Sequence, residues 1–428
     1  MYIIDSTKQD FSNGTLLVSG AKNAALPILV SSLLIDHPCT FKNVPIYQLD
    51  VLAMCRLLTR FNKRVSFTSS TVDVQQTASL SCPTPDWVED TRYSLLIIGS
   101  TLRKLRNVRI PQPGGCRISS GRPIDIHIKG FEAFGARIQQ ENGYINATLL
   151  EDRDGEFELS FPSVGATENL ILFATTGSGH FILHNAAVEP EIESMVEFLN
   201  SCGAQIRQTG QRKWSIDAVK SLQGSSATII PDRIEAISFM ILGALLRRNI
   251  EVTPIITHHM DVFFEILSSM KVAFDIEDLH SGLSRVIMQS SDGDVFLPVN
   301  VATSPYPGFP TDAQPMLSVL CLQANGISTI EDTVFIGRAD HVSQLQKLGA
   351  DISVDGNVIK VNGCRRVFTA ETLRANDIRS GIACVLGALI SEGRTLIENS
   401  QQIERGYEEL GPKLRQVGIR IERVSSRI

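Results

Sequence analysis

Apolar and polar positions along this chain recur in blocks of about seventy residues. Each block holds a run of aliphatic residues that opens on small, polar or charged positions. The six openings are Gly20-Ala21-Lys22-Asn23, Arg92-Tyr93-Ser94, Ser163-Val164-Gly165-Ala166, Asp232-Arg233-Ile234-Glu235, Thr311-Asp312-Ala313 and Arg379-Ser380-Gly381. The stretches that follow, such as 24–34, 170–175 and 382–390, are apolar all round and predict buried helices. A second landmark follows each at a near-constant distance, where a helical segment ends in a small or polar residue before a short strand. These ends are Phe61-Asn62, Phe134-Gly135-Ala136, Cys202-Gly203-Ala204, Met270-Lys271, Leu348-Gly349-Ala350 and Val417-Gly418. Aligned on residues 62, 135, 203, 271, 349 and 418, they stand 73, 68, 68, 78 and 69 residues apart. The run Glu392-Gly393-Arg394-Thr395-Leu396-Ile397-Glu398 reads as a helix end, a glycine cap and an alternating strand.

Six α/β units account for the 428 residues. A chain of this length exceeds one ordinary core, so three units in each of two domains is the expected arrangement. No Ser/Gly/Pro-rich tether separates the halves, which predicts a tight hinge near residues 234–236.

Composition narrows the function. A formal charge of −6 argues against a nucleic-acid partner, which calls for a basic stripe. No apolar run reaches the roughly 18 residues of a membrane span. Residues 1–13 carry Asp5, Lys8 and Asp10 and lack a signal-peptide layout, which predicts a cytoplasmic location. The eight cysteines are scattered without a CxxC pair, as expected of reduced thiols rather than disulfides or a zinc site. His258 and His259 are adjacent and would point apart on a helix or a strand, so no metal spacing emerges. Dinucleotide, Walker and Ser-His-Asp patterns are missing.

The helix openings gather the residues able to do chemistry. Helix N-termini present free N–H groups and a positive dipole end, and Lys22, Arg92 and Arg379 would strengthen that field for a polyanion. Those cations would repel one another without a ligand. Each one, taken singly, also reads as an ordinary solvated charge or cap. The segment from Pro111 to Asp125 is rich in Pro and Gly and places Cys116 beside Arg117 and Arg122. Its thiol is either a chance surface cysteine or a reactive one with a lowered pKa. The run Pro305-Tyr306-Pro307-Gly308-Phe309-Pro310-Thr311-Asp312 stiffens the approach to one carboxylate, which reads as a plain N-cap or as a positioned general base.

Several runs carry a resemblance. They are Ser19-Gly20-Ala21-Lys22-Asn23-Ala24-Ala25-Leu26-Pro27, Pro113-Gly114-Gly115-Cys116, Arg122-Pro123-Ile124-Asp125, Pro162-Ser163-Val164-Gly165-Ala166-Thr167-Glu168-Asn169, Glu189-Pro190-Glu191-Ile192, Pro231-Asp232-Arg233-Ile234-Glu235, Gly308-Phe309-Pro310-Thr311-Asp312 and Glu404-Arg405-Gly406-Tyr407. In this order, over essentially the whole chain, they resemble the UDP-N-acetylglucosamine 1-carboxyvinyltransferase (enolpyruvyl transferase) family. The resemblance implies two inside-out α/β domains, each of three βαβαββ repeats, with the active site in the cleft between them. Residues 22–235 would form one domain; residues 1–21 and 236–428 would form the other. It implies phosphoenolpyruvate and UDP-N-acetylglucosamine as substrates, with no metal or organic cofactor and no membrane partner.

By motif, Cys116 would protonate the methylene carbon of phosphoenolpyruvate and Asp312 would take the proton of the sugar 3-hydroxyl. Lys22, Asn23, Arg122, Arg338, Arg379 and Arg405 would hold phosphoenolpyruvate. Asn23, Arg92, Arg122, Pro123, Ile124, Asp125, Ile126, Phe161, Pro162, Ser163, Val164, Gly165, Asp312 and Val334 would hold the nucleotide sugar. The sequence departs from the family pattern in a Cys116 loop one residue longer, in Tyr306 and Gln402 for histidines, in Glu404 for aspartate, and in Gly99-Ser100-Thr101 for Gly-Pro-Leu. These departures touch substrate discrimination. Another nucleotide acceptor is therefore the alternative, and a catalytically silent binding scaffold is the reading from a different class.

Overall fold

The computed structural model describes residues 1–84, 91–113, 124–289 and 295–424. One repeat shows the plan of all six. Strand Gly155–Glu158 leads into helix Val164–Thr175, strand His180–His184, helix Pro190–Ser201 and the hairpin Gln205–Gly210 with Lys213–Asp217. The first two strands pair in parallel, and the second strand of the hairpin joins them antiparallel, with the first hairpin strand at its outer side. Parallel neighbours need a crossover, and helix Val164–Thr175 supplies it here. The same strand order recurs in five four-stranded sheets; the repeat around residues 92–149 shows three strands among the described residues.

The first helices of the six repeats are the apolar runs of the sequence. They are α1 (Lys22–Ser31), α2 (Leu96–Leu105), α3 (Val164–Thr175), α4 (Arg233–Leu246), α5 (Gln314–Cys321) and α6 (Ile378–Leu389). Every residue of α6, and every residue of α3 from Ala166 on, is buried. A helix apolar all round has to sit inside the layers, and these do. The stretch 24–34 resolves into α1 and a 3-10 turn, Ser32–Leu34.

The second landmark has a single backbone cause. Asn62, Gly135, Gly203, Lys271, Gly349 and Gly418 all adopt left-handed backbone, with φ of 61°, 89°, 99°, 61°, 87° and 77°. Each ends the outer helix of its repeat. In four of them the next residue donates back to the carbonyl five positions earlier: Ala204 to Leu199, Val272 to Leu267, Ala350 to Leu345 and Ile419 to Leu414. This is the Schellman closure, and it explains why Gly and Asn recur there.

The chain divides into two compact units. One holds Met1–Ser19 and Pro231–Ile428, the other the described part of residues 20–230. Each has its own apolar cluster. The first unit completes its sheets with residues from far along the chain. Strand Tyr2–Asp5 lies between Arg394–Glu398 and Glu422–Arg423, and Gly14–Leu17 pairs in parallel with the strand that follows α4. No helix among the described residues is long and apolar enough to cross a membrane.

Two local expectations fail. The helix before Gly393 already ends at Leu389, and Gly393, at φ 108°, bends the chain between strands Ser391–Glu392 and Arg394–Glu398. His258 and His259 do not diverge. They share a 3-10 turn, Thr257–Met260, that brings their rings to 4.5 Å edge to face.

Candidate functional site

In the unit containing α4, α5 and α6, the starts of the three buried helices meet around one carboxylate. Asp312 lies in the 3-10 turn Thr311–Ala313 that leads into α5. It does not cap the helix. Arg338 Nη1 donates to its Oδ1 at 2.7 Å, and Arg379 Nη2 donates to its Oδ2 at 2.9 Å. Both arginine side chains are 5% exposed, against 24% for Asp312. Arg379 is the second residue of α6, whose start is fixed by a capping box between Asp377 and Ser380. Burial pulls the Arg379 guanidinium down, but Asp312, Tyr407 and Asp232 more than reverse this, so it stays charged. Breaking such a buried pair by removing one partner costs about 3–5 kcal/mol.

A second carboxylate builds the frame. Asp332, almost fully buried, accepts from Thr303 Oγ1 and from the backbone N–H groups of Val334 and Phe335 through Oδ1. Its Oδ2 accepts from Thr311 Oγ1 at 2.7 Å, and Arg338 Nη1 donates to that same hydroxyl at 3.2 Å. The loop carrying Asp312, the turn carrying Val334 and the guanidinium of Arg338 are thus tied to one buried group. The Nε of Arg338 is buried without a hydrogen-bond partner. Arg405, also buried, ends the 3-10 turn Ser400–Arg405 and reaches Gln402 Oε1 at 3.5 Å. Glu404 points to Tyr2 and Arg423 instead. The Tyr306 hydroxyl donates to the His258 carbonyl at 3.3 Å, and Arg233 lies 5.6 Å from its ring centre.

The other unit solves the same problem differently. Lys22 opens α1 and donates to Asp50 Oδ2 at 2.9 Å, both side chains being 8% exposed. Asn23 beside it is half-buried. Arg92 starts a 3-10 turn capped by Thr91 that runs into α2. Helices α2 and α3 lie side by side in parallel, with Gly99 against Asn169 and Arg103 over the Phe173 ring. A Cβ at Gly99 would come within 2.2 Å of the Asn169 carbonyl, and the Gly99 N–H donates to Asn169 Oδ1 at 2.9 Å. Asn169 Nδ2 donates to the Leu95 carbonyl and to His127 Nδ1, leaving the His127 proton on Nε2. Burial, then the charge of Arg92, pushes His127 down to about 3. Glu168 is fully buried, and neither oxygen has a hydrogen-bond partner. Burial, then Glu191 and Glu189, pushes its carboxyl well above the ordinary range.

Ser163 caps α3 by accepting from Ala166 N–H, and Pro162, Ser163, Val164 and Gly165 are half-buried. Phe161 is 37% exposed. Asp125 is exposed, while Ile124 and Ile126 pack on the core. Cys116, Arg122 and Pro123 lie outside the described residues. Among the thiols that are described, Cys55, Cys202, Cys321 and Cys384 are pushed up to about 12 by burial, whereas Cys364 is exposed.

The expected mutual repulsion of bare cations does not hold for Lys22 and Arg379, because each already faces a carboxylate. Sequence reasoning missed Asp50, Asp332, Tyr407 and Ser238 as partners. Their only signals were an acidic residue in a first helical turn and the tyrosine closing the Glu404-Arg405-Gly406-Tyr407 run.

A family model described as EPSP synthase (3-phosphoshikimate 1-carboxyvinyltransferase) matches residues 7–414. With the six-repeat fold this fixes the class: the chain belongs to this carboxyvinyltransferase family. Within it, a UDP-N-acetylglucosamine 1-carboxyvinyltransferase of Desulfosudis oleivorans is 38% identical over 413 residues, covering 96% of this chain and 97% of that protein. UDP-N-acetylglucosamine 1-carboxyvinyltransferase 1 of Staphylococcus aureus N315 is 39% identical over 417 residues, again covering 96% and 97%. Among solved structures, the enolpyruvyl transferase NikO from Streptomyces tendae superposes with a TM-score of 0.87 at 22% identity, covering 98% of both chains. An EPSP synthase of Acinetobacter baumannii gives 0.75 at 16% identity, covering 99% of this chain and 100% of its own. These two share the enolpyruvyl transferase fold of paired three-repeat α/β domains.

Proposed function

We propose that this chain transfers the 1-carboxyvinyl (enolpyruvyl) group of phosphoenolpyruvate to the 3-hydroxyl of UDP-N-acetylglucosamine and releases phosphate. In the cytoplasm this reaction would feed peptidoglycan precursor synthesis. What carries the reading is the near-complete match, at 38–39% identity, to relatives of that name. The buried Asp312–Arg338–Arg379 cluster supports it, because it offers a carboxylate base among cations suited to an anion.

In this reading the sugar oxygen bonds to C2 of phosphoenolpyruvate as its proton passes to Asp312. The methylene carbon takes a proton from Cys116, giving a tetrahedral ketal. The C2–O bond to phosphate then breaks, and phosphate leaves with the bonding electron pair and the proton held on Asp312. The methyl carbon returns a proton to the Cys116 thiolate, which leaves the enolpyruvyl ether and free phosphate. Asp312 has each oxygen engaged by a guanidinium. It becomes an available base once the anionic groups of phosphoenolpyruvate draw Arg338 and Arg379 toward themselves. Lys22, Asn23, Arg122 and Arg405 complete the hold on phosphoenolpyruvate. The other assigned positions, Arg92, Pro123, Ile124, Asp125, Ile126, Phe161, Pro162, Ser163, Val164, Gly165 and Val334, serve the nucleotide sugar.

The test is phosphate release from phosphoenolpyruvate across UDP-N-acetylglucosamine, other UDP-sugars, UDP and UMP. UDP-N-acetylglucosamine is the expected best acceptor. Faster turnover of UMP or another sugar nucleotide overturns the acceptor, and no release with any of them overturns the transferase reading.

A further inference from the structure

Tyr407 has no place in the chemistry above, yet its hydroxyl is buried against the most constrained cation of the site. It is 1% exposed and follows the turn that carries Arg405, with its N–H bonded to the Ile403 carbonyl. Gly406 seats that turn on α6, since a Cβ there would meet Ile378 Cγ2 at 2.6 Å. The hydroxyl lies 2.7 Å from Ser238 Oγ on α4, and Ser238 Oγ donates to the Ile234 carbonyl at 2.8 Å. From the other side Arg379 Nη1 reaches the hydroxyl at 3.5 Å, and its Cζ lies 5.8 Å from the ring centre.

These contacts have one self-consistent direction. A guanidinium only donates and a carbonyl only accepts. The chain therefore runs from Arg379 N–H to Tyr407 O–H, to Ser238 O–H, to the Ile234 carbonyl. Every hydroxyl proton is used and every hydroxyl oxygen accepts. Burial keeps the Tyr407 phenol protonated, pushing it up to about 12, so the direction does not reverse at working pH. At its other end the same guanidinium gives Nη2 to Asp312 Oδ2 at 2.9 Å.

We propose that Tyr407, backed by Ser238, is a positioning residue that fixes the Arg379 guanidinium so that its free edge meets Asp312. This rests on the enolpyruvyl-transfer reading for its kinetic consequence, but not for its geometry. A guanidinium is a rigid planar fork, but the aliphatic stem that carries it is long and flexible and can swing the fork as a whole. Gripping Nη1 leaves Nη2 one direction to point, toward the carboxylate that has to release it and take it back in each cycle.

Tyr407→Phe removes the hydroxyl and keeps the ring. The expected result is a fall in the turnover of phosphate release of about tenfold to a hundredfold, with KM values within about twofold. Ser238→Ala is expected to act in the same direction and more weakly. The double variant should lose no more than Tyr407→Phe alone, because the residues act as one chain. A second readout needs no turnover. The Nη protons of Arg379, assigned through Arg379→Lys, should give separate signals by nuclear magnetic resonance in the resting protein and coalesce in Tyr407→Phe. Unchanged signals together with unchanged turnover overturn the proposal and leave Tyr407 a core residue, even if thermal stability drops. Absence of turnover in the parent protein overturns the proposed function alone; the Arg379 signals still decide the positioning role. If Tyr407→Phe does not fold, Ser238→Ala is read by the same two measurements.

Discussion

The corner around Asp312 and the corner around Glu168 and His127 stand at corresponding helix starts, yet they treat charge in opposite ways. At Asp312 two buried guanidinium groups each take one carboxylate oxygen, and this pairing keeps Arg379 charged despite its burial. At Glu168 no cation arrives, and burial suppresses ionisation. His127, on the helix Asp125–Ala133 and bonded to Asn169 of α3, is likewise held neutral. Leaving a carboxylate ionised and unpaired in the interior costs several kcal/mol, more than protonation costs near neutral pH. One corner therefore holds charges in mutual pairs, and the other holds neutral groups. The same fold element holds paired charges or neutral groups depending on whether a counter-charge is supplied.

The sharpest way to break this comparison is Asp312→Asn. Phosphate release is expected to fall on the order of a thousandfold, while nucleotide-sugar affinity by calorimetry changes only a few-fold. Retained turnover would make the paired corner as structural as the neutral one.

Glu168→Gln probes the neutral corner with a smaller effect. The folded pKa is raised, so the stabilising contribution of Glu168 is complete below about 4.5 and is lost as pH rises through the folded value. Urea denaturation should show stability falling with pH over that window in the parent chain and a flatter curve in Glu168→Gln. Each unit of separation is worth about 1.4 kcal/mol. The buried histidines act on the opposite side. His127 and His341, both pushed down to about 3, contribute stability that is present above about 6.5 and lost as pH falls toward 3. An alkaline slope that survives in Glu168→Gln would show that its carboxyl is not the group responsible.

The smallest effect compares helix ends in the two units. Gly203 and Lys271 hold equivalent left-handed positions, at φ 99° and 61°. A Cβ at Gly203 meets nothing within 4 Å, so only backbone strain separates the residue types there. Lys271→Gly should stabilise and Gly203→Ala should destabilise, each by about 1 kcal/mol in thermal melts. Equal or reversed signs would remove the left-handed backbone as the reason for the repeat.

That backbone is also why the repeats were legible in sequence. A left-handed residue at the end of an outer helix selects Gly or Asn, and the all-round apolar helix before it is visible in any window. The pairings were not legible, because they join residues remote in sequence. Lys22 finds Asp50 28 residues on, Arg379 finds Asp312 across 67, and Tyr407 finds Ser238 across 169. Reading Lys22 and Arg379 as bare cations followed from seeing each in isolation. Gly393 was misread because a glycine between two short strands looks, in sequence, like a helix cap. The neighbouring histidines were misplaced because a 3-10 turn has neither of the two periodicities applied to them.

The strand Tyr2–Asp5 carries a consequence for synthesis. It pairs with Arg394–Glu398 and Glu422–Arg423, and Gly14–Leu17 pairs with the strand after α4. As the chain leaves the ribosome, residues 20–230 emerge as one continuous stretch with all the strands of their own described sheets. The first nineteen residues emerge earlier and have no partners until much later. Two strands' worth of open hydrogen-bonding edge is therefore carried through most of translation, a period in which such edges invite pairing with other chains. They are short, four residues each, which limits that exposure.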